Sequence, residues 1–262
     1  MTLSIHPTAI IEDGAQLGAD VTIGPFCHVG PNVVLGDGVK LLSHVVVGGY
    51  TRIGAGSTLY PFATIGMPPQ HARYQGEEVH LIIGANCTIR EHVTMHPGTP
   101  FGSGETRVGD NGLFMVGVHI AHDCRVGNNV VMANQATLGG HVEIGDYVNI
   151  GGLSAVHQYV RIGKHSMVGG MSGVEGDVIP YGMVMGDRAR LSGLNIIGLK
   201  RRGFEREEVH ALRAAYRLLF AAEGTMAERI EDVSGIMKDN RAIMDIVEFI
   251  RTDSNRAICQ PR

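Results

Sequence analysis

The sequence predicts an all-β solenoid followed by a C-terminal α-helical domain. An apolar residue recurs at every sixth position from Ile5 to Val174, apart from two interruptions. All 26 positions of this series are apolar although hydrophobic residues make up 44% of the chain, so chance would produce it about once in 10⁹. We interpret each hexad as one short strand plus a corner. Three hexads would close one triangular coil, and coils would stack about 4.8 Å apart.

Two further positions of the hexad fit a narrow prism. The residue after the aliphatic one is glycine in 15 of the 26 hexads, which suits a corner that needs unusual dihedral angles or close backbone approach. The residue four places after the aliphatic one is small, as at Ala9, Cys27 and Ser57. Each hexad therefore points one large and one small side chain inward. Such a narrow prism can be filled without aromatic residues, and the chain has no Trp and only 5% aromatic residues.

Composition argues against several classes of function. A net charge of −4 and a pI near 6.3 give no general reason to bind nucleic acid. The chain contains no run of 18 apolar residues, so no integral membrane segment is predicted. The N-terminal MTLSIHPTAI enters the repeat at once, so no signal peptide is predicted. The expected location is the cytoplasm. Cys27, Cys87 and Cys124 occupy the small inward position and are interpreted as core residues, whereas Cys259 lies in a tail that is expected to fray.

Two interruptions divide the solenoid. The stretch GMPPQHARYQGEEVHLI predicts a loop near 67–80, and HPGTPFGSGETR predicts a second loop near 96–107. Loops on a rigid scaffold are common locations for binding residues. The repeat ends before residue 187, which predicts a β-helix over 1–186 and a helical domain over 187–262.

Three helices are predicted in the second domain. Apolar residues share one helical face over 205–223, and Gly224 is expected to end this helix. Thr225 and Glu228 form a possible capping box that begins the second helix. The third helix is predicted over 241–251.

Polar residues stack at one corner of the predicted solenoid. Because one coil takes 18 residues, His122, Gly140 and Gln158 form a column. Beside this column stand His119, Asp123, His141 and His157. Four of the 13 histidines therefore converge within roughly 10 Å along the axis.

This cluster predicts either acid–base chemistry or a metal site. Acid–base chemistry needs an imidazole, a carboxylate that holds its tautomer and a backbone N–H for an oxyanion. His122, Asp123 and Gly140 can supply these three groups. The alternative is zinc, because the gamma-class carbonic anhydrases resemble this chain in their hexads and bind metal through His. Their paired ligands are spaced H-x4-H, whereas His119 and His122 are separated by two residues, so we predict no metal.

Three stretches carry a closer resemblance: HIAHDCRVGNNVVMANQATLGGHVEIGD, AVHQYVRIG and NIIGLKRRGF. They resemble the UDP-N-acetylglucosamine O-acyltransferases that begin lipid A synthesis, and the resemblance covers essentially the whole chain. It implies a left-handed parallel β-helix and a homotrimer with active sites between subunits. The implied reaction moves a 3-hydroxyacyl chain from acyl carrier protein to the 3-position of the UDP-sugar. No cofactor is implied beyond the phosphopantetheine of the carrier.

The resemblance also assigns expected roles to residues. His122 matches the general base, Asp123 the residue that orients it, and Gly140 the glycine whose N–H stabilises the oxyanion. Substrate contacts are matched by Gln70, Arg73, His96, His119, His141, His157 and Gln158, and nucleotide- or carrier-binding positions by Asn195, Arg201 and Arg202. Gly170 matches the position that limits acyl-chain length. Together with Lys200 and Arg206, the last two arginines form a basic cluster that is expected to dock the acidic carrier protein.

Several alternatives are weighed against this function. The N-acyltransferase acting two steps later carries a uridine-binding domain before its hexads, and coenzyme A-dependent acetyltransferases lack NIIGLKRRGF. An ice-binding β-helix would need a flat face of repeated Thr, which this chain lacks. One departure leaves the acceptor open: the family often has an acidic residue at the position of His71. The sequence therefore does not decide between a hydroxyl and an amine at the sugar 3-position.

Overall fold

The computed structural model describes residues 3–261, and the predicted fold class is confirmed: a left-handed parallel β-helix carries a C-terminal helical region. Most strands are two residues long and end on the aliphatic residue of the hexad, as at Thr22–Ile23. Neighbouring strands pair in parallel one coil apart, for example Ile23 with Leu41. The three hexads of each coil therefore form three flat sheets that enclose a triangular core.

The sheets are numbered here by the order in which the chain first enters them. The first sheet contains Ser4–Ile5, Thr22–Ile23, Lys40–Leu41, Thr58–Leu59, Thr88–Ile89, Leu113–Phe114, Val131–Met132, Asn149–Ile150, Met167–Val168, Gly182–Met185 and Arg190–Leu194. The second contains Ile10–Ile11, His28–Val29, Val46–Val47, Thr64–Ile65, Thr94–Met95, His119–Ile120, Thr137–Leu138, Ala155–Val156 and Gly173–Val174. The third contains Gln16–Leu17, Val34–Leu35, Tyr50–Ile53, His80–Ile83, Glu105–Val108, Arg125–Val126, Glu143–Ile144 and Arg161–Ile162. The turns between them define corner 1–2, corner 2–3 and corner 3–1.

The interior is filled as the hexads predict. Aliphatic residues such as Ile89 and small residues such as Ser57 are both completely buried. Phe114 is the one aromatic ring in the aliphatic series, and it is also completely buried. A side chain at Gly112 would lie 2.5 Å from this ring, so the glycine makes room for it.

At the corners, the two roles expected for glycine fall on different residues. Gly24 follows the aliphatic residue, and a Cβ there would overlap the carbonyl oxygen of Leu42 in the next coil. Its role is therefore close backbone approach. The left-handed conformation falls two residues later, on non-glycine residues such as Phe26, with φ of 58°. Such residues are strained in this region of φ, and stacking of the coils holds them there.

Two loops leave the solenoid and return to it in extended strands. The first loop spans 66–79 and the second spans 96–104. Both predicted loops ended too late, because His80–Ile83 pairs in register with Glu105–Val108 as part of the third sheet. The alternating burial of these strands, with Leu81 and Thr106 inside, provides the signal that the six-residue period alone missed.

Four helices follow the last strands: α1 Ile196–Arg201, α2 Arg206–Leu219, α3 Met226–Ile236 and α4 Arg241–Arg251. The capping box of Thr225 and Glu228 begins α3 as predicted. The predicted end of α2 was wrong, because the helix stops at Leu219 and Phe220 caps it, leaving Gly224 in the following turn. The short helix α1 was not predicted. No helix within residues 3–261 is long and apolar enough to span a membrane.

The segment after α4 returns to the solenoid. Asp177 pairs with Ile258 in a parallel bridge, and the Cys259 N–H donates to the Asp177 carbonyl at 2.8 Å. Cys259 is buried, so the prediction that this tail frays was wrong. Residues 252–261 form a strap across the last coils, and this strap reaches the corner described next.

Candidate active site

His122 and Asp123 lie at corner 2–3, where the chain turns between His119–Ile120 and Arg125–Val126. His122 Nδ1 is 2.8 Å from Asp123 Oδ2. Because an ionised carboxylate only accepts hydrogen bonds, Nδ1 carries the imidazole proton and Nε2 keeps its lone pair. The structure therefore presents His122 as a base whose tautomer is fixed by Asp123.

The second loop surrounds the Asp123 carboxylate, which is completely buried. The backbone N–H groups of Thr99 and Ser103 donate to Oδ1 at 3.1 and 2.8 Å, and their hydroxyls donate to Oδ2 and Oδ1. Burial alone would raise the pKa of Asp123, but the hydrogen bonds from His122, Thr99 and Ser103 outweigh it and hold the pKa well below its usual range. The carboxylate therefore stays ionised beside the base.

Gly140 stacks on His122 one coil later. A Cβ at Gly140 would lie 2.6 Å from His122 Cε1, so any residue other than glycine would displace the His122 ring. Within residues 3–261, no group accepts a hydrogen bond from the Gly140 N–H, although its carbonyl accepts from Tyr159. A free N–H beside a base is suited to bind a developing oxyanion.

Two more histidines flank this pair. His141 stacks on Tyr159 with ring centroids 4.5 Å apart, and its Nε2 lies 3.7 Å from Asp123 Oδ2. His119 Nδ1 is 2.8 Å from the Thr94 hydroxyl. Burial lowers the pKa of both histidines, so both are neutral hydrogen-bonding groups near pH 7.

The first loop packs against the site through contacts with His96, His122 and the second loop. His96 Nδ1 donates to the carbonyl of Pro68 at 2.8 Å, and its ring lies 5.4 Å from that of His119. His71 meets the His122 ring edge to face at 5.3 Å between centroids. Arg73 lies 4.3 Å over the Phe101 ring of the second loop.

Gln70 is exposed near these residues on the same loop. His157 and Gln158 are also exposed, one coil beyond Gly140 at the same corner. Arg256 of the strap contacts both, through His157 Nδ1 and the Gln158 carbonyl. Within one chain, corner 2–3 therefore gathers every predicted site residue from the two loops and the His122 column.

Four predicted site residues lie elsewhere. Gly170 is at corner 1–2, where it stacks on Gly152, and a Cβ at Gly170 would lie 3.3 Å from the Gly152 carbonyl oxygen. Asn195, Arg201 and Arg202 lie beside corner 3–1. The Asn195 side chain caps α1 and donates to the His165 carbonyl. Arg201 is exposed.

Arg202 is tied to corner 3–1 more firmly than a free surface arginine. Its Nη2 donates to the Tyr147 carbonyl at 2.7 Å, while its buried Nη1 has no partner within residues 3–261. Burial lowers its pKa. Lys200 and Arg206 point instead into a cavity of about 570 Å³, which Arg213 also lines. The basic cluster predicted from sequence is therefore divided between two surroundings.

Comparison with known proteins shows which family the chain belongs to. A family model described as UDP N-acetylglucosamine O-acyltransferase, domain 2, matches residues 177–259, and one for bacterial transferase hexapeptide repeats matches 4–37 and 14–49. An acyl-[acyl-carrier-protein]--UDP-N-acetylglucosamine O-acyltransferase of Caulobacter vibrioides is 60% identical over 99% of this chain and 98% of its own. The chain belongs to the UDP-N-acetylglucosamine O-acyltransferase family.

Other members are similarly close. A relative of the same name from Methylobacterium radiotolerans is 58% identical over 99% of this chain and 95% of its own. The crystal structure of the UDP-N-acetylglucosamine O-acyltransferase of Moraxella catarrhalis superposes with a TM-score of 0.95 at 42% identity, covering 98% of this chain and 99% of that one. The relatives match the whole length of this acyltransferase, helices included.

Sequence analysis missed three residues of the site. Thr99 and Ser103 bind Asp123, and Arg256 contacts His157, across 20 or more positions of sequence. Two hydroxyl residues in the glycine-rich second loop were the available signal for the first pair. The position of Arg256 depends on the strap, which no periodic pattern indicates.

One geometric feature of this acyltransferase could also serve a metal ion. The ligand atoms of His122, Asp123 and His141 lie within 4.8 Å of one another. The Asp123 carboxylate, however, already accepts hydrogen bonds from Thr99 and Ser103. A metal ion would compete with these bonds and with the Nδ1 proton of His122.

Proposed function

We propose that this chain transfers a 3-hydroxyacyl group from acyl carrier protein to the 3-position of UDP-N-acetylglucosamine, the first step of lipid A synthesis. The observation that carries the proposal is the His122–Asp123 pair at 2.8 Å beside the free N–H of Gly140. These groups are the base, its orienting partner and the oxyanion donor that acyl transfer requires. The expected cytoplasmic location is part of the same proposal.

The groups act in sequence on the two substrates. His122 Nε2 takes the proton of the sugar 3-hydroxyl while that oxygen attacks the thioester carbonyl carbon. The carbonyl electron pair moves to its oxygen, which the Gly140 N–H stabilises. When the carbonyl re-forms, the C–S bond breaks, and the leaving thiolate takes the proton back from His122. Asp123 stabilises the imidazolium between these two steps.

The complete site requires more than one copy of the chain, and we include a homotrimer in the proposal. His122 lies at corner 2–3, whereas Gly170 and Arg202 lie at the other two corners of the prism. Two different corners of one rigid solenoid cannot meet around one substrate. A neighbouring copy in a ring of three can bring its own corner to His122.

Mixed oligomers test this arrangement. His122→Ala and Arg202→Ala each remove one side of the site, so each variant alone is expected to be inactive. Co-refolded at equal amounts, they should regain about a quarter of wild-type activity, because about one site in four combines intact residues from two copies. Activity that stays at the level of the separate variants would contradict a shared site.

The proposal includes no metal and no cofactor apart from the carrier's phosphopantetheine. His122 can act as the base in its present hydrogen-bonded tautomer, without a metal-bound water. Chelation by EDTA is therefore expected to leave kcat unchanged, while added Zn²⁺ should inhibit by binding His122 and His141. Loss of activity on chelation, restored by one metal, would overturn this part.

An acyl-donor and acceptor assay tests the reaction class. Thioester consumption is measured with hydroxyacyl carrier protein and with acetyl-coenzyme A, each offered UDP-N-acetylglucosamine and its 3-amino analogue. We expect turnover with the carrier protein and the 3-hydroxyl acceptor. Preference for acetyl-coenzyme A would assign the chain to the acetyltransferases, and preference for the amine would assign it N-acyl transfer, with His71 as the residue to examine first.

A further inference from the structure

Arg256 makes two contacts with the site corner from the strap. Its Nη2 is 2.5 Å from His157 Nδ1, and its Nε donates to the Gln158 carbonyl at 3.0 Å. The strap itself is fixed to the last coils by the pairing of Asp177 with Ile258. Arg256 is thus a half-buried side chain. The strap fixes its backbone, and its guanidinium contacts two exposed residues of the site.

The contact fixes the tautomer of His157. A guanidinium has N–H donors and no acceptor, so the imidazole nitrogen that faces it must offer a lone pair. Nδ1 of His157 is therefore unprotonated, and Nε2 carries the proton. Without Arg256 the opposite tautomer becomes available, because Nδ1 also lies 3.3 Å from the Gln158 carbonyl and could donate to it.

We propose that Arg256 is a positioning residue that makes His157 a hydrogen-bond donor, through Nε2–H, to an oxygen of the acyl donor. The proposal rests on the proposed function for the identity of the substrate. The first loop reaches His122 from the N-terminal side, whereas His157 shares its coil with Gly152, which stacks beneath Gly170. In the proposed ring of three parallel copies, equivalent coils lie at the same level, so a neighbour's Gly152 and Gly170 would approach corner 2–3 at the coil of His157. His157 therefore lies on the side of the thioester and its chain. An Nε2 lone pair there would repel a carbonyl oxygen that Nε2–H binds, because a carbonyl oxygen has no proton to donate.

The tautomer can be read directly by ¹⁵N NMR on the full chain labelled at histidine, with His157→Gln to assign the signals. In the wild type, Nδ1 of His157 should give the shift of an unprotonated nitrogen and Nε2 that of a protonated one. Arg256→Met, which removes every donor, should move the proton to Nδ1. Arg256→Lys, which keeps only donors, should restore the wild-type pattern.

Kinetics give the second readout. Arg256→Met should raise the KM for the acyl carrier protein thioester about three- to tenfold, the effect of one hydrogen bond, and leave the KM for the sugar nucleotide unchanged. Arg251→Met is the matched control, because Arg251 pairs with Glu231 on the helices. Melting temperatures of both variants establish that the fold is intact.

A protonated Nδ1 in the wild type, or an unchanged pattern in Arg256→Met, would overturn the proposal. A tautomer change without any effect on the donor KM would overturn the role of Nε2–H as substrate ligand. Failure of the proposed function is distinguishable, since it would abolish transfer in the wild type while the NMR result stood.

Discussion

Two histidines at different corners of this solenoid have opposite surroundings. His122 binds the Asp123 carboxylate through Nδ1 and leaves Nε2 open. His165 is stacked between Tyr147 and Tyr181, with centroids 4.9 and 5.5 Å away, and its buried Nδ1 has no partner within residues 3–261. Burial, together with the charges of Arg202 and Lys164, lowers the pKa of His165 to about 4.

The difference indicates what a corner histidine needs in order to act as the proposed base. The repeat supplies the corner at both places, but it supplies neither a carboxylate nor open space. At His122, the second loop holds Asp123 ionised and Gly140 leaves room for a substrate. At His165, rings and a cation occupy that room. The features that suit His122 to the proposed role therefore come from what is added to the repeat.

The largest expected effect separates the two histidines directly. His122→Ala should lower kcat by about 10²–10⁴ with little change in melting temperature, the usual loss for a general base. Asp123→Asn should cost less, in the same direction. His165→Phe is the matched control and should keep kcat, because Phe preserves the ring stack. A folded His122→Ala enzyme that retains more than about a tenth of wild-type turnover would remove His122 from the role of base.

A second change tests the space above His122. Gly140→Ala would place a Cβ 2.6 Å from Cε1 of the ring, so the ring must move. A displacement of this size in a reacting group is expected to lower kcat by about 10². Gly235→Ala is the control, because its Cβ would meet nothing within 4 Å. Equal turnover in the two variants would mean that the ring tolerates the new methyl group.

Corner 1–2 offers a test that does not depend on a titrating group. Leu153 and Met171 are exposed beside Gly152 and Gly170, an apolar surface suited to an acyl tail. Gly170→Met should displace about three methylenes at about 0.8 kcal/mol each, a shift of 10- to 100-fold toward shorter donors. Competition between long and short hydroxyacyl carrier proteins measures it. An unchanged ratio would show that the tail does not pass Gly170.

Carrier docking should depend on exposed charge and not on the half-buried Arg202. Lys200→Glu with Arg206→Glu is expected to raise the KM for acyl carrier protein about tenfold at low ionic strength, with a smaller effect in salt. Steady-state kinetics across a salt series check this. A KM that responds neither to the charges nor to salt would locate docking on another surface.

The smallest effect concerns stability at His165. Its pKa is lower in the folded chain than in the unfolded chain, so the unfolded state binds more protons as pH falls. Stability should therefore decrease between about pH 6.5 and pH 4, and His165→Phe should remove this part of the loss. Melting temperatures at pH 7 and pH 5 test it. An equal decrease in both proteins would assign the acid sensitivity to other groups.

The predictable part of this molecule is the part that repeats. The sequence period located the strands, the core and the column of His122, Gly140 and Gln158, since coil geometry fixes their distance. It did not locate Thr99 and Ser103 on Asp123, or Arg256 on His157. Those contacts depend on the path of a loop and of a strap, which are set by tertiary packing. The end of α2 at Leu219 was missed for a related reason, because a glycine signal at Gly224 is weaker than the packing that stops the helix earlier.

The stacking of coils has a consequence for how the molecule opens. Within the three sheets of residues 3–261, each parallel strand pairs only with strands of the coils before and after it, so local unfolding is expected to spread coil by coil from an end of the solenoid. The first coil is the weaker end, since Ile5 of the inward aliphatic series is 41% exposed. His122, Asp123 and Gly140 occupy two consecutive coils far from it. Amide hydrogens of the first coil should exchange with solvent early, while the geometry around His122 persists until its own neighbours separate.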